Sequence, residues 1–404
     1  MPSRLFALCL AAIILIGPLS LHLMLPAIPA VKAEFGLTEA TAQLTFSLGI
    51  FAMAFSTLIY GTLSDRYGRR PVLLSGLALF LVGCLLLSIA QSFAALMAGR
   101  LLQAVGAGCA TTLVRSIARD AYGQAQLAKA IAYITMFYTI GPMIAPLMGG
   151  ILIDSYGWRA AFVFALCFGA VITSGAYFVL YETYKPTPAR FDLLAVLRSY
   201  IDPFRLPKFA ALVLQTGFSS GVFFTLSAAS AVIMKEQLDR PATEYGLYFL
   251  LFPLGFLVGN LVSSRLTARV RGETMVLTGS LVNFFFAGLQ AVLLLAGYVS
   301  PATLFLPGFF MTMAQGLSLP SAQAGAMALV PSSIGTAAGI GVFTQMFVGA
   351  AVAQIYGILA DPSMVPLAAV SVGTAGACLF CGFVAYRLGQ TESQSESQTE
   401  SQAK

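Results

Sequence analysis

Residues 61–74 read GTLSDRYGRRPVLL and set a dense cluster of charge between two long apolar runs. The cluster consists of Asp65, Arg66, Arg69 and Arg70. A charged side chain at the centre of a bilayer-spanning helix costs about 2.5–3.5 kcal/mol, so these charges must lie outside the hydrocarbon. The stretch therefore predicts a short loop at the membrane surface, where one membrane helix ends and the next begins.

The composition of the whole chain indicates an integral membrane protein. Its 404 residues are 58% hydrophobic and 9% charged, and the mean hydropathy is +0.86. Soluble domains carry roughly 25% charged residues, so a soluble fold could not bury this much apolar surface. The chain has 22 basic and 16 acidic residues. Membrane topology accounts for the basic excess, so we expect no nucleic-acid partner.

Twelve apolar segments recur along the chain, each close to the roughly 20 residues that cross a bilayer. They lie at about 5–29, 40–62, 72–91, 93–114, 128–151, 160–181, 208–233, 243–264, 275–297, 302–324, 337–359 and 364–386. The first is too long for the apolar core of a secretory signal, so we expect it to be a retained helix. The pattern predicts an all-α membrane protein of twelve transmembrane helices.

The distribution of lysine and arginine predicts the orientation. Apart from Arg100, which lies within an apolar segment, seventeen basic residues fall on the side of the two termini. The opposite side has four: Lys32, Arg159, Lys235 and Arg240. Because cytoplasmic loops are enriched in Lys and Arg, we predict that both termini are cytoplasmic in a plasma membrane, the inner membrane if the cell is bacterial.

The longest connection, residues 182–207, predicts a linker between two six-helix halves, 1–181 and 208–387. In the second half, residues 259–272 (GNLVSSRLTARVRG) occupy the place of the charged loop but lack its aspartate. Residues 388–404, LGQTESQSESQTESQAK, are a Ser/Gln/Glu-rich segment that cannot bury a core, and we predict a disordered cytoplasmic tail.

Further motifs accompany the charged loop. They are LMLPAIP at 23–29, GRLLQAVGAG at 99–108, VRSIARDAYG at 114–123, IGPMIAPLMGG at 140–150 and the W-R-x-x-F of Trp158, Arg159 and Phe162. Together they resemble the major facilitator superfamily of secondary transporters, in its drug/proton antiporter branch. Within that branch they look like the bicyclomycin/chloramphenicol-resistance (Bcr/CflA) group. One departure is Ala104, which replaces the first glycine of the family's R-x-x-Q-G-x-G element.

The resemblance implies a fold of two halves, each built from inverted three-helix repeats. It also implies a conformational latch formed by Gly61, Asp65, Arg66, Gly68, Arg69 and Arg70. In that role Asp65 locks the halves on the cytoplasmic side against the start of helix 11, near residues 333–337. The antiporter-type motif of helix 5 consists of Gly141, Pro142, Gly149 and Gly150, where proline allows a bend and glycine allows close packing.

Ionisable groups inside the apolar segments are scarce, and they mark functional candidates. All sixteen acids map to loops or helix ends, which leaves His22 and Arg100. The rise per residue places both in the outer half of the bilayer. The resemblance implicates Arg100 in proton handling, while His22 stands where that group commonly has an aspartate. A histidine with an ordinary pKa near 6.5 can load and release protons, so we predict both as proton-coupling residues.

A cavity that lacks a carboxylate has no fixed negative charge to hold a lipophilic cation. We therefore expect a neutral, zwitterionic or weakly acidic amphipathic cargo. Candidate lining residues combine aromatic area with uncharged hydrogen bonding. They are Gln103, Tyr133, Phe137, Tyr138, Gln215, Phe218, Phe223, Asn283, Gln315 and Gln345.

The leading prediction is a monomeric, proton-coupled exporter that works by alternating access in the lipid bilayer on small molecules of the multidrug or phenicol type. It needs no cofactor besides the proton and no metal, since the C-x-x-C of Cys378 and Cys381 has no companion pair. An uptake transporter or a narrow-substrate metabolite exporter of the same superfamily is the alternative. An enzyme would need partners for the sole histidine inside the helices, and none is evident. A receptor or channel has no particular use for a two-fold repeat.

Overall fold

The computed structural model describes residues 3–184, 200–331 and 334–402, which form helices joined by short turns. Twelve segments are long and apolar enough to cross a membrane, which confirms the predicted fold class. We number them α1–α12 in chain order: Arg4–Phe35, Glu39–Tyr67, Arg69–Ser88, Phe93–Tyr122, Lys129–Tyr156, Trp158–Val179, Pro207–Glu236, Ala242–Leu266, Gly272–Leu295, Pro301–Ala328, Gly335–Leu359 and Val365–Thr391.

Two of these segments are interrupted helices. In α1, helices at Arg4–Ile13, Ile16–His22 and Ile28–Phe35 are joined through a 3₁₀ turn at Leu25–Ala27. Pro26 and Pro29 lie at this turn and remove two backbone donors. In α8, the helix Ala242–Phe249 is followed by Leu251–Leu266. These breaks place irregular backbone inside membrane segments, which membrane proteins tolerate where the backbone is covered by protein.

Helices α4 and α5 form one helical run, Phe93–Tyr156, but this run cannot be straight. Residues 100 and 141 would lie about 60 Å apart on a straight helix. Yet Arg100 donates a hydrogen bond to Ser20, and Gly141 packs against Pro18. The chain must therefore reverse between them, which makes α4 and α5 an antiparallel pair.

Two glycines with positive φ angles each lie between the end of one helix and the start of the next. Gly68, with φ of 97°, lies between α2 and α3, and Gly157, with φ of 84°, lies between α5 and α6. Each separates the second helix from the third in its group of three. This correspondence fits the three-helix repeats implied by the resemblance.

The residues pack into two compact units. The first contains residues 1–190 and 227–250, and the second contains 191–226 and 251–404. The end of α7 and the beginning of α8 thus pack with the first unit, although they belong to the second half of the sequence. The predicted boundary at 182–207 remains a prediction, and residues 185–199 of it lie outside the described residues.

The last helix begins at Val365 and continues to Gln402. Its apolar part ends at Thr391. The disordered cytoplasmic tail expected for residues 388–404 remains a prediction.

Candidate functional site

Arg100 of α4 is fully buried and joins three helices of the first unit. Its Nε donates to the carbonyl of Thr45 at 3.0 Å, and its Nη1 donates to the carbonyl of Ser20 at 2.9 Å. Nη1 also donates to Oε1 of Gln103 at 2.6 Å. The side chain thus ties α1 and α2 to α4.

The positive charge of Arg100 is not matched by a carboxylate. All three hydrogen-bond partners are neutral oxygens, and none of the ion pairs among the described residues includes Arg100. Its Nη2 has no hydrogen-bond partner among the described residues. The same holds for the buried Oγ of Ser20, whose carbonyl accepts from Arg100, and for both side-chain polar atoms of Gln43 on α2. Buried polar groups normally find partners, so these atoms are unused hydrogen-bonding capacity in α1, α2 and α4.

His22 lies on the same turn of α1 that Arg100 contacts. Its ring Nδ1 is 2.9 Å from the carbonyl of Pro18, and the side chain is buried. Its ring meets that of Phe249 edge-on, with centroids 5.9 Å apart. The two predicted proton-coupling residues are therefore joined through one short stretch of α1, from Pro18 to His22.

Gly49 of α2 makes room for the guanidinium. A Cβ atom at this position would lie 2.5 Å from Nη2 of Arg100, which is closer than real Cβ contacts allow. The absence of a side chain at Gly49 is therefore required for the observed position of Arg100. The sequence contains 38 glycines, and nothing in the spacing of Gly49 distinguished it.

The helix 5 motif packs against the same part of α1. A Cβ at Gly141 would lie 2.6 Å from Cβ of Pro18, and one at Gly149 would lie 3.1 Å from Cγ of Pro26. Pro142 lies inside the helix, directly after Gly141. These contacts explain why small residues recur in the motif, since they let α5 and α1 approach closely.

Arg69, in the charged loop, has a fully matched charge. Its Nη1 is 2.6 Å from Oδ1 of Asp65, and its Nε is 3.0 Å from Oδ2 of Asp120 on α4. The Arg69 side chain is 4% exposed, against 56% for Asp65 and 15% for Asp120. Asp65 thus pairs within its own loop, and its predicted contact with helix 11 remains a prediction. Ser333, at the start of that region, lies outside the described residues.

Glu182 completes the loop by capping α3. The helix begins after Gly68, which has no side chain to cap it. Glu182 instead accepts hydrogen bonds from the backbone N–H groups of Arg69 and Arg70, at 2.9 and 3.1 Å. The negative carboxylate therefore lies at the positive end of the α3 dipole. The guanidiniums of Arg66 and Arg70 lie against the rings of Tyr67 and Tyr177.

Asp154 of α5 performs the same task at the opposite end of the first unit. Helix α8 begins after Pro241, which gives no side-chain cap. Asp154 accepts hydrogen bonds from the N–H of Ala242 at 3.0 Å and from the N–H of Thr243 at 2.7 Å. Gly150, one turn earlier, meets the backbone of Ala242, so a side chain there would keep the two helices apart.

A lysine at the same end joins distant parts of the chain. The Nζ of Lys32 on α1 lies 2.6 Å from Oε2 of Glu39 and 2.8 Å from Oε1 of Glu236. Nearby, Glu34 forms an ion pair with Arg159 at 2.6 Å and accepts from Nε1 of Trp158. The positive-inside count predicts that this end is external.

The remaining cargo candidates are divided between the two units. In the first, Gln103 is buried in the Arg100 network and donates to Sγ of Cys84 at 3.2 Å. The rings of Tyr133 and Phe137, four residues apart on α5, are in contact, with centroids 5.0 Å apart. Phe137 and Tyr138 pack against the apolar core of the unit. No described contact joins these aromatic rings to Arg100.

In the second unit, Gln215 is fixed by hydrogen bonds and three other candidates share a cavity. Nε2 of Gln215 donates to Oγ of Ser280 at 3.0 Å. Phe223, Asn283 and Gln315 line one small cavity. Phe218 and Gln345 are half-buried, and Nε2 of Gln345 is buried without a partner.

Comparison with known families decides the class of protein. Residues 8–354 match the family described as Major Facilitator Superfamily. The chain belongs to the major facilitator superfamily. It is thus a transporter with a small-molecule substrate, embedded in the membrane as a multi-pass protein.

The relatives agree with the group suggested by the motifs. The chain is 24% identical over 393 residues to a bicyclomycin resistance protein homolog of Haemophilus influenzae, covering 94% of this chain and 95% of the relative. It is 27% identical over 383 residues to the multidrug resistance protein MdtL of Escherichia fergusonii, covering 92% and 96%. The crystal structure of a D-xylose-proton symporter has the same fold, with a TM-score of 0.77, 13% identity and coverage of 95% and 98%.

Sequence reasoning missed the acids that act as partners: Asp120, Glu182 and Asp154. All three had been assigned only to loops or helix ends. For Glu182 and Asp154 the sequence did contain a signal. Gly68 and Pro241 stand directly before helices, and neither has a side chain that can accept hydrogen bonds from the first N–H groups. Such a helix needs a partner for its first N–H groups from elsewhere in the chain.

Proposed function

We propose that this transporter is a proton-coupled efflux antiporter that exports neutral, zwitterionic or weakly acidic amphipathic small molecules by alternating access. The observation that carries the proposal is the buried guanidinium of Arg100, which has no carboxylate partner and lies beside the turn that holds His22. The resistance functions named for the two relatives support drugs as cargo and export as the direction.

The positive site selects the charge of the cargo. A lipophilic cation would meet the unmatched charge of Arg100 in a medium of low dielectric constant, where repulsion between like charges is strong. A carbonyl, nitro or carboxylate oxygen would instead accept a hydrogen bond from an arginine nitrogen. The polar end of the cargo should therefore be an acceptor.

His22 links the proton to the cargo. A neutral cargo that fills the site would displace water from around His22, and removal of water disfavours the charged form of an imidazole. Bound cargo therefore promotes release of the proton to the cytoplasm, and a proton arriving from outside promotes release of the cargo. The cargo and the proton thus compete for the site, as antiport requires.

The movement needs contacts that can break. At the predicted external end, Asp154 of α5 accepts hydrogen bonds from two backbone N–H groups at the start of α8. Lys32 of α1 forms an ion pair with Glu236 of α7. All three contacts are accessible at the surface. Each such contact is worth about 0.3–1 kcal/mol at an exposed site. Together they fix the end of α7 and the start of α8 to α1 and α5 within the first unit, and each is weak enough to break.

Transport into inside-out membrane vesicles tests the proposal. With a proton gradient that is acidic inside, uptake of a neutral phenicol should exceed uptake without the gradient and should collapse when an ionophore removes it. Control vesicles carry the Arg100→Leu variant. Uptake that responds to membrane potential but not to the pH gradient would contradict proton-coupled efflux. Uptake that requires the reverse pH gradient would favour an uptake transporter.

A further inference from the structure

Four helices of the second unit, α7 to α10, enclose a small cavity near the middle of their membrane spans. Its polar lining comes from Ser219, Asn283, Thr312 and Gln315, and its aromatic lining from Phe223 and Phe252. Ser219 and Asn283 lie close to the midpoints of α7 and α9. Transporters of this kind bind their substrates near the bilayer midplane, so the depth of the cavity suits a substrate subsite.

Two oxygens in the lining have no hydrogen-bond partner within the described protein. They are Oδ1 of Asn283 and Oγ of Ser219, on residues that are 2% and 3% exposed. Buried polar atoms of this kind are rare, and each one needs an explanation. Both residues line the cavity, so a group held there, a water molecule or a ligand hydroxyl that replaces it, can pair with them.

Two other polar groups in the lining are engaged. The hydroxyl of Thr312 donates to the carbonyl of Phe309 at 3.0 Å, and Nε2 of Gln315 donates to Oγ of Ser220 at 3.0 Å. The buried atoms without a partner among the described residues are the side-chain carbonyl of Asn283, which is an acceptor, and the hydroxyl of Ser219. The lining holds no charged side chain.

The size and the chemistry of the cavity match one functional group. Its volume is about 10 Å³, close to the minimum that holds a single water molecule. A group of this size that donates to an amide oxygen and accepts from a serine is a hydroxyl. An ammonium group would lack a carboxylate, and a carboxylate would lack a cationic donor.

We propose that Asn283 and Ser219 form a subsite that selects a hydroxyl group on a neutral cargo, with the rings of Phe223 and Phe252 packing against the adjoining carbon atoms. The inference rests on the proposed function, that the chain transports amphipathic small molecules, and it names one chemical feature of them. The two rings meet edge to face with centroids 6.1 Å apart, which forms a rigid apolar wall.

Displacement of water gives the subsite its selectivity. A cargo hydroxyl reproduces the hydrogen bonds of a water molecule in the cavity, so replacing the water costs little. A fluorine atom of similar size donates nothing and accepts poorly, which leaves Asn283 unpaired. We expect about tenfold weaker binding of the fluorinated compound, in line with the loss of one hydrogen bond at a buried site.

Thiamphenicol and florfenicol are suitable probes, because they differ by the replacement of one hydroxyl with fluorine. The full-length protein in lipid nanodiscs is titrated with each compound by calorimetry, and the ratio of the two Kd values is measured. The wild type should bind thiamphenicol about tenfold more tightly. In Asn283→Leu and in Ser219→Ala the ratio should fall towards one, mainly through weaker binding of thiamphenicol.

Ser318→Ala is the matched control. Ser318 is a buried hydroxyl of α10 in the same unit, and it accepts from Gln215 rather than lining the cavity. This variant should keep the wild-type ratio. If Asn283→Leu does not fold, the smaller Ser219→Ala change decides the question.

Three results would overturn the subsite: equal binding of the two compounds by the wild type, binding of neither, or an unchanged ratio in the cavity variants. Proton-driven uptake of other drugs into the same protein in vesicles separates this failure from failure of the proposed function. If such uptake occurs, the transporter assignment stands and only the hydroxyl subsite is wrong. If no compound responds to the proton gradient, the proposed function itself fails.

Discussion

Two buried arginines of the first unit, Arg69 and Arg100, are held in opposite ways. Arg69 lies at the membrane surface between the carboxylates of Asp65 and Asp120. Arg100 lies within the membrane and donates only to neutral oxygens, with Nη2 left unpaired. Burial of a charge is costly unless it is paired. The first arrangement stabilises the loop. In the proposed function, the second supplies the positive charge that cargo and proton would meet.

The largest effect is expected at Arg100. Arg100→Leu removes the charge, the two hydrogen bonds that join α4 to α1 and α2, and a third to Gln103 within α4, and it should reduce proton-driven transport at least a hundredfold. Arg100→Lys keeps the charge but not the fork of donors, so it should recover only part of the rate. Transport assays in proteoliposomes, with protein amount normalised, measure both. Wild-type rates in both variants would remove Arg100 from the mechanism.

Gly49→Ala should have the next largest effect. The added methyl group overlaps the position of the Arg100 guanidinium and should shift it, with about tenfold slower transport. Gly175→Ala, in α6, is the control, because a Cβ there meets no atom within 4 Å. Equal transport by the two variants would show that the fit between Gly49 and Arg100 is unimportant.

Asp120→Asn tests the matched arginine. Arg69 would keep Asp65 but lose the more buried of its two carboxylates, so the protein should lose about 1.5–3 kcal/mol of stability. Thermal unfolding in detergent measures this loss, and transport should fall only a few-fold. A hundredfold loss of transport with unchanged stability would mean that the Arg69 site, too, belongs to the transport chemistry.

Asp65→Asn should cost the least stability, below about 1 kcal/mol, because Asp65 is more than half exposed. If the latch predicted for this loop exists, the variant should turn over more slowly while its affinity for cargo stays the same. Separate measurements of the maximal rate and of the half-saturating cargo concentration distinguish these effects. An altered affinity with an unchanged rate would contradict the latch.

The comparison also shows which features a sequence reveals. The twelve helices follow from apolar runs of about 20 residues, and charge within or between those runs identified both arginines. The sequence did not reveal which residues contact the two arginines. Asp120 is 51 residues from Arg69, and Ser20 is 80 residues from Arg100. Such contacts depend on how the helices pack, and no local spacing records them.

Two other residues are important only because of what they contact in the folded protein. Gly49 is important because a guanidinium lies against it, and Asp154 because α8 begins beside it without a cap of its own. Patterns of hydrophobicity and charge therefore predicted the membrane helices. The contacts between those helices could be identified only from the structure.

If the site around Arg100 and His22 lacks a negative charge, it should favour neutral or weakly acidic cargo over cations. Export of the lipophilic cation ethidium is compared with export of a neutral phenicol in wild type, His22→Asp and His22→Asn. The wild type should export the phenicol and little ethidium, with at least a tenfold rise in the ethidium-to-phenicol ratio in His22→Asp but not in His22→Asn. Efficient ethidium export by the wild type, or an unchanged ratio in His22→Asp, would show that the charge of the site does not select the cargo.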